Sequence, residues 1–133
     1  MNHEPLTLDH RLDNRVDNIA VLRGTVSNDP QRRELPAGHQ VAQFDVATRL
    51  VADARDITVS VPIAWYEPPA AALGMVISGA EVLVVGTVRR RFFRVGGATQ
   101  SRTEVVADSV VPTRRRKRVA VELQRAADRL LAG

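Results

Sequence analysis

Hydrophobic and polar residues alternate through the middle of the chain with the period of two that is typical of β-strands. Residues 41–50 place Ala42, Phe44 and Val46 on one face and polar side chains on the other. Residues 57–63 repeat this pattern. The alternation predicts five strands, at residues 18–26, 41–50, 57–63, 81–93 and 101–111.

Turn-forming residues separate the predicted strands. The segment SNDP at 27–30 is a clear break, LPAG at 35–38 predicts a hairpin turn, and GG at 96–97 separates the last two strands. Pro62 lies inside the third predicted strand. Because proline lacks the N–H that a central strand needs, Pro62 indicates a sheet edge or a bulge.

A short helix interrupts this order of strands. Residues 68–77 (PPAAALGMVI) are predicted to be helical, with proline at the start. Five strands with one helix between the third and the fourth is the order of an OB barrel, an order that other small β-barrels share. Residues 119–131 have apolar positions at helical spacing. We therefore predict an all-β fold, a five-stranded OB-fold barrel followed by a C-terminal amphipathic helix.

The predicted organisation has three parts. Residues 1–16 form a flexible N-terminal extension, residues 17–112 the OB-fold domain, and residues 113–133 a basic run with the C-terminal helix.

Composition narrows the class of protein. With 133 residues, of which 44% are hydrophobic, the chain has the size and composition of one globular domain. No stretch approaches the ~20 apolar residues that a transmembrane helix needs. The first residues contain no apolar segment of a secretory signal, and there is no cysteine. We therefore expect a cytoplasmic protein that does not bind membranes.

Basic residues are unevenly placed. The net charge is +4, and the basic residues cluster in two blocks, 89–94, where two phenylalanines are interleaved, and 114–118, which contains four arginines and Lys117. The planar, forked guanidinium suits phosphate binding and stacking on bases. The clusters therefore predict a polyanionic partner, with nucleic acid ahead of a membrane surface.

Residues suited to catalysis are scattered. His3, His10 and His39 lack metal-ligand spacing, and the sequence contains no phosphate-binding loop, no serine nucleophile motif and no cysteine. We expect no enzymatic activity, no cofactor and no metal.

Five segments of the predicted barrel carry recognisable motifs. In order they are residues 18–26 (NIAVLRGTV), 29–33 (DPQRR), 36–48 (PAGHQVAQFDVAT), 79–91 (GAEVLVVGTVRRR) and 102–107 (RTEVVA). Together they resemble segments of the bacterial single-stranded DNA-binding proteins. The first is similar to the family's opening strand, N-x-V-x-L-x-G, and the second to its turn, D-P-E-x-R. The resemblance covers about residues 18–111 with few gaps. The resemblance is specific because all five motifs occur in the same order as in the family.

This resemblance implies an OB barrel that binds single-stranded DNA without sequence preference. It also implies a homodimer or homotetramer, a role in replication, repair or recombination, and a nucleoid-associated place in the cytoplasm. In the family, aromatic side chains stack on bases and basic side chains contact phosphates. Carried over to this chain, the expected stacking residues are Trp65 or Tyr66, and Phe93. Charge and position on strands and turns add the expected nucleic-acid-binding arginines Arg23, Arg32, Arg33, Arg49, Arg89, Arg90, Arg91 and Arg94.

The chain departs from the family pattern in its aromatic residues. Leu50 and Val51 stand where the family commonly has an aromatic residue, and Ser60 stands where it has tryptophan. The last six residues of the sequence are DRLLAG and differ from the acidic C-terminal segment of the family. These differences predict weaker or more electrostatic binding and indicate a specialised paralogue.

Each candidate also has a structural interpretation. Trp65 and Tyr66 are equally suited to covering the barrel core, and only one of Phe92 and Phe93 can face a ligand because neighbours on a strand point to opposite faces. The strand and turn arginines, and the block at 114–118, are also suited to simple solvation. The C-terminal helix fits packing on its own barrel or pairing with a second copy better than recruiting another protein. At the level of function, the alternatives are an OB-fold assembly subunit with weak nucleic-acid affinity, and RNA binding.

Overall fold

The computed structural model describes residues 16–132, so the predicted extension lies outside the described residues except for its last position. A 3-10 turn spans Pro36–Gly38. The six strands are β1 (Ala20–Val26), β2 (Gln31–Glu34), β3 (Gln40–Ala52), β4 (Arg55–Tyr66), β5 (Glu81–Val95) and β6 (Ala98–Pro112), and the helices are α1 (Ala70–Leu73) and α2 (Arg116–Leu131).

The strands close into a barrel. The sheet order is β1-β5-β6-β4-β3-β2, and β1 also pairs with β3, so that five strands form a closed ring and β2 lies outside it against β3. The pairing of β4 with β6 is parallel, and the other pairings are antiparallel. This closed arrangement, with a helix before β5, confirms the predicted OB fold.

The strand β2 was not predicted. Its four residues, QRRE, are all exposed and carry no hydrophobic alternation. They form a strand because residues 31–34 pair antiparallel with residues 40–43 of β3. In the break before β2, the Asn28 carboxamide accepts a hydrogen bond from the Asp45 N–H, and the Asp29 carboxylate accepts one from the Ser78 N–H.

The helix α1 is shorter than predicted, with four residues instead of the ten of the segment 68–77. Pro69 lies at its N-terminal cap, and Gly74 ends it. Val76 is buried in the core after the helix has ended. Val76 therefore fills the end of the barrel, whereas Ile77 is exposed, and neither residue extends the helix.

The core of the barrel is built from the inward face of every strand of the ring. Its members are Val26, Ala42, Phe44, Val46, Ile63, Trp65, Leu73, Val76, Val82, Val84, Val105, Ala107 and Val110. Beyond the core, the hairpins β3–β4 and β5–β6 continue as two arms whose ends are exposed. Pro62 lies where β4 leaves its short pairing with β6, which agrees with the predicted sheet edge.

The helix α2 begins at Arg116, three positions before the predicted start, and packs on its own barrel. Ala126 and Val119 contact Leu83 and Val85, which point outward from β5. The buried Glu122 accepts a hydrogen bond from Ser109 of β6. Other apolar residues of the helix stay exposed: Val121, Leu123, Leu130 and Leu131. No helix among residues 16–132 has the length and hydropathy to cross a membrane.

Gly86 marks a tight point in the sheet. The register shifts there, because Val85 pairs with Ser109 and Gly86 with Ala107, which leaves Asp108 as a bulge on β6. A Cβ atom on Gly86 would collide with the Val106 carbonyl oxygen and lie 2.9 Å from the Ala107 Cα.

We therefore predict that Gly86→Ala destabilises the fold, because both contacts are backbone atoms that cannot move aside. The expected loss is about 1–3 kcal/mol in the free energy of unfolding, measured by urea denaturation. Gly74→Ala is the control, since its new Cβ would meet no atom closer than 3.5 Å. Equal stability of the two variants would contradict the tight packing at Gly86.

Candidate nucleic-acid interface

The outer face of the barrel brings together basic and aromatic side chains from β4, β5 and β6. Val84 points into the core, and side chains alternate along a strand, so Arg89, Arg91 and Phe93 fall on the opposite, outer face of β5. Glu104 of β6 pairs directly with Arg89 in the register. Tyr66 ends β4 on the same face. We call Tyr66, Arg89, Arg91, Phe93 and Glu104 the outer cluster.

Hydrogen bonds and ion pairs join the outer cluster. An Arg89 Nη2 donates to Glu104 Oε2 at 2.5 Å and to the Tyr66 hydroxyl at 2.8 Å. The Arg91 Nε lies 3.4 Å from the same Oε2 of Glu104. The hydrogen bond to Tyr66 and the Glu104 carboxylate raise the pKa of Arg89, so this guanidinium stays charged at every physiological pH.

Each arginine of the outer cluster also lies over an aromatic ring. The Arg89 Cζ is 5.4 Å from the centre of the Tyr66 ring, and the Arg91 Cζ is 5.3 Å from that of Phe93. These distances are within the range of cation–π attraction. The guanidinium planes and the rings together form a stacking surface that is partly open to solvent.

Further polar side chains extend this face toward β2. Arg102 of β6 pairs with Arg91 in the register and lies 3.8 Å from Asp45 of β3. Arg33 of β2 donates to Gln43 of β3 at 3.5 Å. The sequence prediction included Arg33 but missed Arg102. The signal for Arg102 was available, because it begins the RTEVVA motif and lies across the hairpin from the arginine block.

The arginine block 89–94 is divided between the two faces of the β5–β6 arm. Arg90 and Arg94 point to the face opposite the outer cluster. Arg90 donates to Ser101 at 3.0 Å and lies over Phe92, which is 66% exposed. Arg94 donates to the Gly97 carbonyl at 2.6 Å. The structure therefore separates Arg90 and Arg94 from Arg89 and Arg91.

Three other predicted binding residues lie away from the outer cluster. Arg23 is on the outer side of β1, 3.5 Å from Glu81, beside the start of α2. A hydrogen bond from Thr113, together with the charge of Arg23, lowers the pKa of Glu81. Arg32 lines a groove with Glu67 and Pro68, and Arg49 lies on the β3–β4 arm, 3.9 Å from Asp56.

The structure corrects the prediction that Trp65 is a nucleic-acid-binding residue. Its side chain is only 4% exposed and belongs to the core. Alternation on β4 places Trp65 inside the barrel and its neighbour Tyr66 outside. Of the two interpretations of this pair, core packing therefore applies to Trp65, and only Tyr66 is accessible to a base.

His39 lies near one end of this face. Its Nδ1 is 3.1 Å from Glu67 Oε1, and the Gln40 N–H donates to the other oxygen of Glu67 at 3.0 Å. These two contacts, the His39 contact first, lower the pKa of Glu67. They fasten the start of β3 to the residue that follows β4. Within residues 16–132, no group of histidines and carboxylates is arranged to hold a metal ion.

Comparison with known proteins agrees with this fold. The profile of the single-strand binding protein family matches residues 17–113. The solved structure described as Plasmodium falciparum SSB complex with ssDNA superposes with a TM-score of 0.65 at 21% identity, covering 74% of this chain and 96% of that chain. At that identity the superposition shows a shared fold. A search of curated proteins found no significant match.

The position of Trp65 makes a prediction for fluorescence, because it is the only tryptophan in the chain. In the native protein its emission should be blue-shifted and poorly quenched by acrylamide, and unfolding in urea should shift it to the red. Tyr66→Phe should leave this signal unchanged. Strong acrylamide quenching of the native protein would contradict the burial of Trp65.

Proposed function

The chain belongs to the single-strand binding protein family, whose members bind DNA and are not enzymes. We propose that this protein binds single-stranded DNA through the outer cluster and the arginines beside it. One observation carries the proposal. On the outer face of an OB barrel, Arg89 and Arg91 lie over the rings of Tyr66 and Phe93. Stacking surface and positive charge thus occur at the same place.

The side chains of this surface would make two kinds of contact with DNA, stacking on bases and binding to phosphates. A base can stack on an aromatic ring or on the plane of a guanidinium, and each base–aromatic contact is worth roughly 1–3 kcal/mol. Arg33 of β2 and Arg102 of β6 would contact phosphates as the DNA crosses the sheet. Because every base has a π-face, this mode of binding is independent of sequence.

The small number of aromatic residues affects the balance of binding forces. With Trp65 inside the barrel, Tyr66 and Phe93 are the rings of the outer cluster. We therefore propose that phosphate contacts supply a large share of the affinity and make it strongly dependent on salt. Arg23, Arg32, Arg49, Arg90 and Arg94 would add charge from other faces of the molecule.

We also propose that the protein is a homo-oligomer. Among the described residues, positions 20–23 of β1 pair with β5 only, which leaves one edge of this strand open. Beside it, Leu83, Val119 and Leu123 line a groove between the barrel and α2. An open strand edge next to an apolar groove fits a second copy of the same surface.

The biological setting follows from single-strand binding. We propose that the protein covers and protects exposed single strands during replication, repair or recombination, in the cytoplasm and associated with the nucleoid.

Fluorescence anisotropy with a labelled oligo-dT and a matched duplex, at low and near-physiological salt, tests the proposed activity. We expect single-strand binding that weakens as salt rises but remains measurable at the higher salt, and much weaker binding to the duplex. Phe93→Ala should weaken single-strand binding by about 1–3 kcal/mol, because it removes one ring of the stacking surface.

Phe92→Ala is the matched control, since Phe92 is the adjacent residue on the opposite face of β5. It should leave the affinity unchanged. Equal and complete loss of single-strand and duplex binding as salt rises would contradict the proposal and favour an assembly subunit with a basic surface. An RNA oligomer of equal length, titrated beside the DNA, decides between the two nucleic acids.

Sedimentation measurements test self-association. We expect a mass that is a multiple of the 14.6 kDa chain. Leu123→Glu should shift the protein toward the monomer, because it places a charge in the groove beside β1. Val51→Glu, at the end of the β3–β4 arm, is the comparison. If Val51→Glu alone dissociates the oligomer, the contact lies on the arms and the proposed groove contact is wrong.

A further inference from the structure

Glu104 is an unexpected residue at a surface proposed to bind a polyanion. Its side chain is 2% exposed, yet it carries a charge of the same sign as DNA. It lies at the centre of the outer cluster, where its carboxylate contacts both Arg89 and Arg91. A role for this carboxylate must account for its burial and for its two cationic partners.

The contacts of Glu104 arrange the two arginines around a single oxygen atom. Oε2 receives the hydrogen bond from Arg89 and lies 3.4 Å from the Nε of Arg91. Arg89 simultaneously donates to the Tyr66 hydroxyl. The Nε atoms of Arg89 and Arg91 are themselves buried and make no hydrogen bond. The carboxylate is therefore the common anchor of both guanidinium groups.

Charge explains why an anchor is needed. Arg89, Arg91 and Arg102 point from neighbouring strands to the same face, and like charges at this spacing repel one another. Asp45, another carboxylate on this face, lies beside Arg102. Without Glu104, the guanidinium groups of Arg89 and Arg91 would gain freedom by extending into solvent and leaving the rings that they cover.

We propose that Glu104 is a positioning residue for single-strand binding, holding the guanidinium groups of Arg89 and Arg91 over Tyr66 and Phe93 before the DNA arrives. This inference rests on the proposed function. Its physical basis is preorganisation, because side chains that are already ordered lose less conformational freedom on binding.

The effect of removing the charge distinguishes this role from simple electrostatics. Glu104→Gln removes one negative charge from the binding face. If charge alone mattered, the variant would bind DNA more tightly and its affinity would depend more steeply on salt. If Glu104 positions the arginines, the variant binds more weakly, by about tenfold for two side chains that must be ordered during binding. The two expectations have opposite signs.

The experiment is anisotropy with oligo-dT over a range of salt concentrations, using the full chain and two matched controls. Glu81→Gln makes the same change of charge at a carboxylate that pairs with Arg23, away from the outer cluster. Glu104→Asp keeps the charge but shortens its reach. We expect weaker binding for both Glu104 variants and unchanged or slightly tighter binding for Glu81→Gln. Thermal unfolding identifies a variant that fails to fold.

A Glu104→Gln variant that binds as tightly as the wild type, or more tightly, would overturn the inference. If Glu104→Gln does not fold, the DNA affinity of Glu104→Asp still tests the inference. NMR of the arginine Nε–H groups gives a readout that needs no DNA. The Nε–H signals of Arg89 and Arg91 should exchange slowly with water in the wild type and fast in Glu104→Gln. If the wild type shows slow Nε–H exchange but does not bind single strands, only the proposed function is refuted. If the exchange in Glu104→Gln is the same as in the wild type, the role of Glu104 is refuted.

Discussion

Closure of the sheet at β1 is the constraint on which the other features depend. This strand pairs with β5 along residues 20–25 and with β3 at Thr25 and Val26. The close approach to β3 needs Gly24, because a side chain there would collide with the Ala47 carbonyl. Once the ring is closed, each strand has an inner face that is filled by apolar side chains and an outer face that is free for other contacts.

The strand β5 shows how one alternation serves three purposes. Val82 and Val84 point into the core, and Leu83 receives the helix α2 on the outer side. Beyond Gly86 the outer positions carry the arginines and Phe93 of the outer cluster. A shift of one residue would exchange the two faces of the arm. The bulge at Asp108 lies on β6, so the alternation of β5 continues without interruption.

The barrel was predictable from the sequence because each of its five ring strands buries one face, and burial of one face produces alternation. β2 left no such signal, since all four of its residues are exposed and only pairing makes them a strand. The arginine block was recognised, but its division between two faces depends on the phase of β5 relative to the core. Glu104 lies in the RTEVVA segment, but no neighbouring residue along the chain indicates that it is buried. Its burial results from Arg89 and Arg91, which lie on the neighbouring strand and fold over it.

A buried carboxylate among arginines is poorly explained as a stabilising feature. Removing an ion pair from water offsets much of its attraction, and apolar residues often replace such pairs without loss of stability. The arrangement of the guanidinium groups is a better explanation. Each of the two accessible rings of the outer cluster is covered by a guanidinium whose own plane can accept a base. Ordered arginines thus enlarge a stacking surface that has few aromatic residues, and this ordering depends on the one carboxylate that they share.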